Sequence, residues 1–217
     1  MKLFVDTGCI KDIETIAALG ILDGVTTNPS LLAKEPGDFR QNLKRICDIV
    51  KGPVSGEVTA IDFAGMMREG HDIAKIDEHM VVKVPLTREG VKACKALSGE
   101  GIRVNVTLCF SAAQALLAAK AGATFVSPFV GRLDDIATNG MELIREIVGI
   151  YDNYEFTTEV LVASCRHPIH IVEAARMGAD ICTCPPAVID QMFNHPLTNI
   201  GLEKFLKDWE KAQAVKA

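Results

Sequence analysis

The feature that most constrains this chain is a repeated alternation of short apolar runs with helical patterns. Segments with an apolar residue at every third or fourth position separate eight runs rich in Val, Ile, Phe or Thr. The runs are mostly continuous, as in parallel strands buried on both faces. We place the strands at Lys2–Asp6, Gly24–Asn28, Val54–Val58, Met80–Val84, Ile102–Thr107, Thr124–Phe129, Phe156–Ala163 and Ile181–Cys184.

The spacing of the strands favours a closed (β/α)8 barrel, the TIM-barrel fold. Consecutive predicted strands end roughly 20 to 35 residues apart, about the length of one strand–helix unit. The competing fold, an open doubly wound sheet, calls for a glycine-rich turn after the first strand, and residues 6–12 contain only one glycine. We therefore predict a single domain over residues 1–217, in which residues 197–217 form an additional C-terminal helix.

Charge and cysteine usage exclude other classes of protein. Lys and Arg number 23 and Asp and Glu 28, for a net charge of −5, and no dense basic run is present to bind nucleic acid. No apolar stretch approaches the ~18 residues of a membrane span. The seven cysteines show no zinc-ligand spacing and mostly lie in apolar runs, which indicates a cytoplasmic protein with reduced core cysteines and no metal site.

Polar residues stand at the C-terminal end of nearly every predicted strand. Active sites of (β/α)8 barrels lie at this face, and polar groups inside apolar runs destabilise a fold unless they are paired or functional. The candidate site therefore comprises Asp6, Thr7, Thr26, Thr27, Asn28, Glu57, Lys83, Asn105, Thr107, Ser127, Ser164 and Arg166.

Lys83 is the most informative candidate because it stands within an apolar run, MVVKVPLT at residues 80–87. Burial disfavours the charged ammonium, and a neutral amine attacks carbonyl groups to form a Schiff base. A structural role is the alternative, in which the lysine pairs with Glu57 or Asp6 or reaches the surface. These two carboxylates could likewise divide proton transfers between them or serve only as ion-pair partners.

The candidates for phosphate binding follow the sixth and seventh strands. Arg132 follows the sixth strand, and Ser164 and Arg166 precede a helix whose N-terminus suits a phosphate. Surface arginines paired with neighbouring aspartates are the alternative. We interpret His167 and His170, at the start of that helix, as capping or surface residues because no third metal donor lies at ligand spacing.

Five segments resemble the small transaldolase family, which includes fructose-6-phosphate aldolase-like proteins. They are DGVTTNPSLL at 23–32, VVKVPLT at 81–87, VNVTLCFS at 104–111, PFVGRLDD at 128–135 and VLVASCRHP at 160–168. The resemblance runs from Lys2 to Cys184 with one motif per strand end. It implies a class I aldolase barrel that moves a dihydroxyacetone unit between sugar phosphates through a lysine Schiff base, without a metal or organic cofactor.

The resemblance also implies roles for single residues. Lys83 matches the Schiff-base lysine, and Asp6 matches the acid–base group that handles the C4 hydroxyl proton of the substrate. Glu57 and Thr107 match the pair that positions and activates a catalytic water. The implied substrate-binding positions are Thr27, Asn28, Asn105, Ser127 and Phe129, with Arg132, Ser164 and Arg166 at the phosphate.

Two positions favour transfer over simple aldol cleavage. Where the aldolases of this family carry Gln and Tyr, this chain has Glu57 and Phe129, as transaldolases do. A phenylalanine supplies no phenol to protonate the bound enamine, so the intermediate waits for an aldehyde acceptor. We predict a transaldolase of the pentose phosphate pathway; the alternatives are fructose-6-phosphate aldolase and a sugar-phosphate-binding barrel without turnover.

The family resemblance extends to assembly. Small members form rings of five subunits, often stacked to ten, in which the C-terminal helix reaches a neighbour. An apolar face on that helix is consistent with a pentameric or decameric homo-oligomer, and a helix folded back on its own barrel is the alternative. The face consists of Leu202, Phe205, Leu206 and Trp209.

Overall fold

The computed structural model describes residues 1–216, with side chains to residue 214, and contains a closed barrel of eight parallel strands in chain order. The (β/α)8 prediction is therefore confirmed. The strands are β1 (Lys2–Asp6), β2 (Gly24–Thr26), β3 (Val54–Glu57), β4 (Met80–Pro85), β5 (Val104–Cys109), β6 (Phe125–Pro128), β7 (Glu159–Val162) and β8 (Ile181–Cys184).

Helices connect the strands and cover the outside of the barrel. Several begin at a short polar side chain that accepts a backbone N–H of the first turn, as Asp62, Thr87 and Ser111 do. The helices within residues 1–216 are α1 (Ile10–Ala17), α2 (Pro29–Leu32), α3 (Phe39–Val50), α4 (Phe63–Ala74), α5 (Arg88–Gly99), α6 (Ala112–Ala121), α7 (Val130–Asp134), α8 (Gly140–Asn153), α9 (Pro168–Met177), α10 (Pro186–Met192) and α11 (Pro196–Lys216).

Several predicted boundaries differ from the structure: β2 ends at Thr26 and not at Asn28, and β5 covers Val104–Cys109 and not Ile102–Thr107. The strand predicted over Phe156–Ala163 begins three residues later, at Glu159, because the Phe156 ring packs against Tyr151 of α8, with ring centroids 5.5 Å apart. The chain after the sixth strand forms the short helix α7 before α8 begins at Gly140. Asp134 ends α7 and accepts the Gly140 N–H at 2.9 Å.

A small apolar core fills the barrel, separate from the larger one between the strands and the helices. Phe4 and Phe125 meet edge to face in it, with ring centroids 6.2 Å apart. Gly24 makes room for this pair, because a Cβ there would lie 2.5 Å from the Phe4 ring. The buried members of this inner core are Phe4, Val81, Phe125, Leu161, Ala163 and Ile181.

A polar layer lies above the inner core, towards the C-terminal ends of the strands. Side chains alternate along a strand, so the residue two positions after an inner apolar residue also faces the barrel axis. This step leads from Phe4, Val81, Phe125 and Ile181 to Asp6, Lys83, Ser127 and Thr183.

The C-terminal helix α11 is present as predicted, although residue 217 lies outside the described residues. The apolar residues of its proposed face are each more than half exposed. Across residues 1–216, no helix has the length and apolarity that crossing a membrane requires.

Candidate active site

A cavity of about 200 Å³ opens at the C-terminal face of the barrel. Most of the predicted site residues line it, whereas Thr7, Thr27, Glu57, Asn105 and Thr107 do not. The structure thus brings together strand ends that are far apart in sequence. The lining consists of Asp6, Thr26, Asn28, Lys83, Ser127, Phe129, Arg132, Ala163, Ser164, Arg166 and Thr183.

Lys83 supplies a buried amine to this cavity. Its side chain is 6% exposed, and its Nζ lies 3.0 Å from Glu57 Oε2 and donates a hydrogen bond to the Thr27 carbonyl at 3.0 Å. The parallel register sets Glu57 of β3 directly beside Lys83 of β4. The ion pair considered as a structural alternative is therefore present, and the same amine faces a cavity large enough for a small sugar.

Asp6 ends a chain of hydroxyl groups. The Thr26 hydroxyl donates to Asp6 Oδ1 at 2.7 Å, and Thr183 Oγ1 lies 2.7 Å from Thr26 Oγ1. Since the Thr26 hydroxyl has one proton and gives it to Asp6, Thr183 donates to Thr26. Burial raises the pKa of Asp6 above its ordinary value, although the Lys83 charge and the Thr26 hydrogen bond oppose this shift.

Thr183 has no place among the residues predicted from the sequence. It stands one residue before the end of the predicted strand Ile181–Cys184, as Lys83 does in its own strand, but no residue of the eighth strand was among the candidates. The two-residue step from the inner-core residue Ile181 would have found it, because that step selects the residues that face the barrel axis.

Asn105 supports the wall of the cavity from behind. Its Nδ2 donates to Ser55 Oγ at 3.1 Å, and its Oδ1 accepts from Ser127 Oγ at 2.7 Å. Both ends of the amide are therefore engaged, and the side chain is fully buried. Asn105 thus contacts Ser55 and Ser127, and of these two residues only Ser127 lines the cavity.

Thr27 and Thr107 also lie outside the lining, with different partners. The Thr27 hydroxyl donates to the Ser55 carbonyl at 2.7 Å, so the contact of Thr27 with Lys83 is made by its main chain. Thr107 Oγ1 is buried and is the one buried side-chain polar atom without a partner in the part of the chain that the structure describes. A buried hydroxyl without a partner is free to bind water or substrate.

The lining of the cavity also includes two arginines and Phe129. The Arg132 guanidinium carbon lies 4.9 Å from the centroid of the Phe129 ring, a cation–π contact that fixes its direction. Arg166 donates to Asp135 Oδ2 at 2.8 Å, the pairing with a neighbouring aspartate considered as an alternative. Both arginines nonetheless line the cavity with Ser164.

His170 differs from the surface or capping residue predicted from the sequence. It is 5% exposed, because its ring packs against His167, with centroids 3.9 Å apart, and bonds to two neighbouring segments. His167 is the residue at the N-cap of α9, where its side chain makes no capping hydrogen bond. No cluster of three or more metal-ligating side chains occurs among the described residues.

Comparison with known proteins shows similarity along nearly the whole chain. The family model for transaldolase/fructose-6-phosphate aldolase matches residues 3–216. A probable transaldolase of Hyphomonas neptunium is 62% identical over 212 residues, 98% of each chain. One of Methanococcus vannielii is 60% identical over 210 residues, 97% of this chain and 98% of that one.

Similarity in three dimensions extends further than similarity in sequence. A native KDPGal structure superposes with a TM-score of 0.62 at 14% identity, over 85% of this chain and 82% of that chain. At this level of identity the likeness concerns the fold alone.

Proposed function

The chain belongs to the transaldolase/fructose-6-phosphate aldolase family, and we propose that it is a transaldolase. It would transfer a dihydroxyacetone unit from sedoheptulose 7-phosphate to glyceraldehyde 3-phosphate, giving erythrose 4-phosphate and fructose 6-phosphate in the pentose phosphate pathway. The observation that carries the proposal is the buried Lys83 amine, which faces a polar cavity that Asp6 and two arginines also line.

Formation of the covalent intermediate begins with Lys83. Its amine attacks the C2 carbonyl of the ketose, and loss of water from the carbinolamine gives an imine. The Glu57 carboxylate, 3.0 Å from Nζ, takes and returns the protons of this step. Thr107, on the neighbouring strand β5 with a free hydroxyl, orients the water.

Cleavage of the C3–C4 bond requires a base at the C4 hydroxyl. Asp6 takes this proton, the aldehyde product leaves, and the electron pair of the bond moves into the imine to give an enamine. The raised pKa of Asp6 makes its carboxylate a stronger proton acceptor than a solvated one. Addition of the acceptor aldehyde to the enamine reverses these steps, and hydrolysis frees the lysine.

Binding of the substrate divides between the two ends of the cavity. Asn28 and Ser127 contact the hydroxyls of the dihydroxyacetone unit, and Asn28 is held by the hydrogen bond from the Leu31 N–H to its Oδ1 at 2.9 Å. The phosphate lies between the guanidinium groups of Arg132 and Arg166, beside Ser164. We also propose a cytoplasmic location, which the seven free thiols support.

Two measurements test the proposed reaction. Sodium borohydride in the presence of fructose 6-phosphate traps an imine, and mass spectrometry then places the adduct on Lys83. A coupled assay with and without an aldehyde acceptor separates transfer from cleavage, since transaldolase turnover depends on the acceptor. Absence of an adduct indicates a sugar-phosphate-binding barrel without turnover, and acceptor-independent turnover indicates fructose-6-phosphate aldolase.

Replacement of Phe129 by Tyr is expected to raise acceptor-independent cleavage of fructose 6-phosphate by about 10²-fold, the lower end of the usual contribution of a general acid. The new phenol lines the cavity and can protonate the enamine, which releases dihydroxyacetone. Phe110→Tyr is the matched control, because the Phe110 ring centroid lies 5.8 Å from that of Phe129 and Phe110 is absent from the cavity lining. Unchanged cleavage in Phe129→Tyr contradicts this account of specificity.

We further propose that the chain forms a homo-oligomer, a pentamer or decamer, through α11. The four apolar residues of the proposed face are 54–71% exposed, which disfavours a helix folded back on its own barrel. Burial of each such side chain contributes about 1.5–3 kcal/mol, so a neighbouring subunit that covers the face stabilises the assembly.

Ending the chain after Ile200 is expected to dissociate the oligomer, so that light scattering measures a smaller number of subunits per particle than in the full-length protein. The truncation removes the apolar face while leaving the eight strands and their helices intact. Phe205→Asp tests the face by a single change, with Lys204→Asp on the same exposed helix as its control. An unchanged particle mass in both the truncated chain and Phe205→Asp contradicts the proposal.

A further inference from the structure

One buried imidazole connects the two segments that carry the arginines of the cavity. His170 Nδ1 accepts the backbone N–H of Arg166 at 3.2 Å, and His170 Nε2 lies 3.0 Å from Asp134 Oδ2. Asp134 ends helix α7, to which Arg132 belongs. His170 therefore bonds to the segment of each arginine at once, from a position near the start of α9.

The two contacts require one protonation state of the imidazole. Because Nδ1 accepts a hydrogen bond, the single proton of the neutral ring resides on Nε2 and is donated to Asp134. A second proton on Nδ1 would face the Arg166 N–H and break that bond. Burial lowers the pKa of His170, and the charge of His167 acts in the same direction, against the opposing influence of Asp134 and Glu173.

The segments joined by His170 approach each other closely. The Gly131 N–H of α7 donates to the Ser164 carbonyl at 3.1 Å, and a Cβ at Gly131 would lie 2.3 Å from that oxygen. Ser164 has a φ of +60°, an uncommon conformation for a residue with a side chain. Contacts from outside must therefore hold this loop in place, and His170 supplies one to each side.

We propose that His170 is a positioning residue for the substrate phosphate, which holds the Arg132 and Arg166 segments in the relative position that lets both guanidinium groups bind one phosphate. The inference deepens the proposed function and rests on it. His170 does not line the cavity, so its effect reaches the substrate through the Arg166 main chain and through Asp134. Asp134 also connects this contact to helix α8, because its other carboxylate oxygen accepts the N–H of Gly140, the first residue of α8.

The test compares His170→Ala with His167→Ala, which removes the stacked ring but neither hydrogen bond of His170. In His170→Ala, the KM for fructose 6-phosphate and the Ki for inorganic phosphate are each expected to rise about tenfold or more, because the Arg166 N–H loses its acceptor and Asp134 loses its partner. Borohydride trapping of unphosphorylated dihydroxyacetone on Lys83 stays at the wild-type level. The control removes the packing contact with His170 but leaves both of its hydrogen bonds, so it is expected to change KM and Ki much less than His170→Ala does.

A second variant separates the two contacts of the imidazole. His170→Asn places an acceptor where Nδ1 stands but does not reach Asp134, so it is expected to restore part of the phosphate affinity. Calorimetric titration with inorganic phosphate measures this affinity without turnover.

The outcomes distinguish this inference from the proposed function. If wild-type protein forms no adduct on Lys83, the proposed function fails, and phosphate titration still tests His170. Equal phosphate affinity in wild type and His170→Ala overturns the role of His170, as does absence of phosphate binding by the wild type. A parallel loss of dihydroxyacetone trapping in His170→Ala also overturns it, since the change would then affect the whole barrel.

Discussion

Replacement of Lys83 by Met is expected to abolish the borohydride-trapped adduct and to lower kcat/KM for transfer by about 10⁴-fold or more. The Lys83 amine lines the cavity, and a methionine of similar length fills its space without a nucleophile. Dihydroxyacetone and fructose 6-phosphate are the probes, and intact-protein mass spectrometry measures the adduct. Binding of inorganic phosphate stays at the wild-type level, because both arginines remain in place.

Lys83→Arg is the matched variant, because it keeps a cation beside Glu57 and lacks only the nucleophilic amine. If the lysine acts through its charge alone, Lys83→Arg retains activity that Lys83→Met loses. If Lys83 forms the imine, both variants lose the adduct and the transfer reaction equally. An adduct on another lysine in either variant contradicts the assignment.

The barrel could be predicted from the sequence because its strands are buried on both faces. Burial on both sides leaves continuous apolar runs, and the regular return of such runs distinguishes a closed parallel barrel. The predicted start of the seventh strand at Phe156 was wrong because a tertiary contact decides it. The Phe156 ring completes an aromatic pair with Tyr151 of α8.

The residues of the cavity could be predicted in part, because strand ends meet at one face. The hydrogen-bond partners of each side chain could not be predicted, because they depend on the register between strands and on segments that are distant in sequence. Thr183 follows from the two-residue step along β8 only when the inward face of that strand is known. His170 bonds to Asp134 of another element, and no spacing in the sequence indicates that contact.

The polar layer of the barrel joins Asp6 to residues of two neighbouring strands. Thr26 of β2 and Thr183 of β8 flank β1 on its two sides, and their hydroxyls form the chain that ends at Asp6 Oδ1. A carboxylate held from one side in this way presents its other oxygen to the cavity. The layer therefore fixes the direction of Asp6 as well as its environment.

Replacement of Asp6 by Asn is expected to lower the rate of transfer by about 10²- to 10⁴-fold, the usual contribution of a general base. The amide cannot take the C4 hydroxyl proton, but its oxygen still accepts the Thr26 hydroxyl. Imine formation precedes this step, so dihydroxyacetone is still trapped on Lys83. In the wild type, kcat falls as the pH decreases through the raised pKa of Asp6, because the protonated acid is no longer a base.

The same substitution is expected to stabilise the protein at neutral pH. Because folding raises the pKa of Asp6 above 3.8, the folded state binds more protons than the unfolded state between the two pKa values. The free energy of unfolding of the wild type therefore falls as the pH rises through that window and does not recover above it. Asp6→Asn has no carboxyl group at this position and does not lose stability in this way. Its free energy of unfolding relative to that of the wild type therefore increases with pH between the two pKa values and stays constant above them.

Chemical denaturation of wild type and Asp6→Asn over a pH series measures this difference. Asp190→Asn, at an exposed position of α10, is the control for removal of a carboxylate as such. A gain in stability together with a loss of transfer means that the fold tolerates a buried carboxylate for the sake of the reaction. If Asp6→Asn is less stable than the wild type at neutral pH, the attraction to Lys83 outweighs the cost of burial, and the base would then be weaker than proposed.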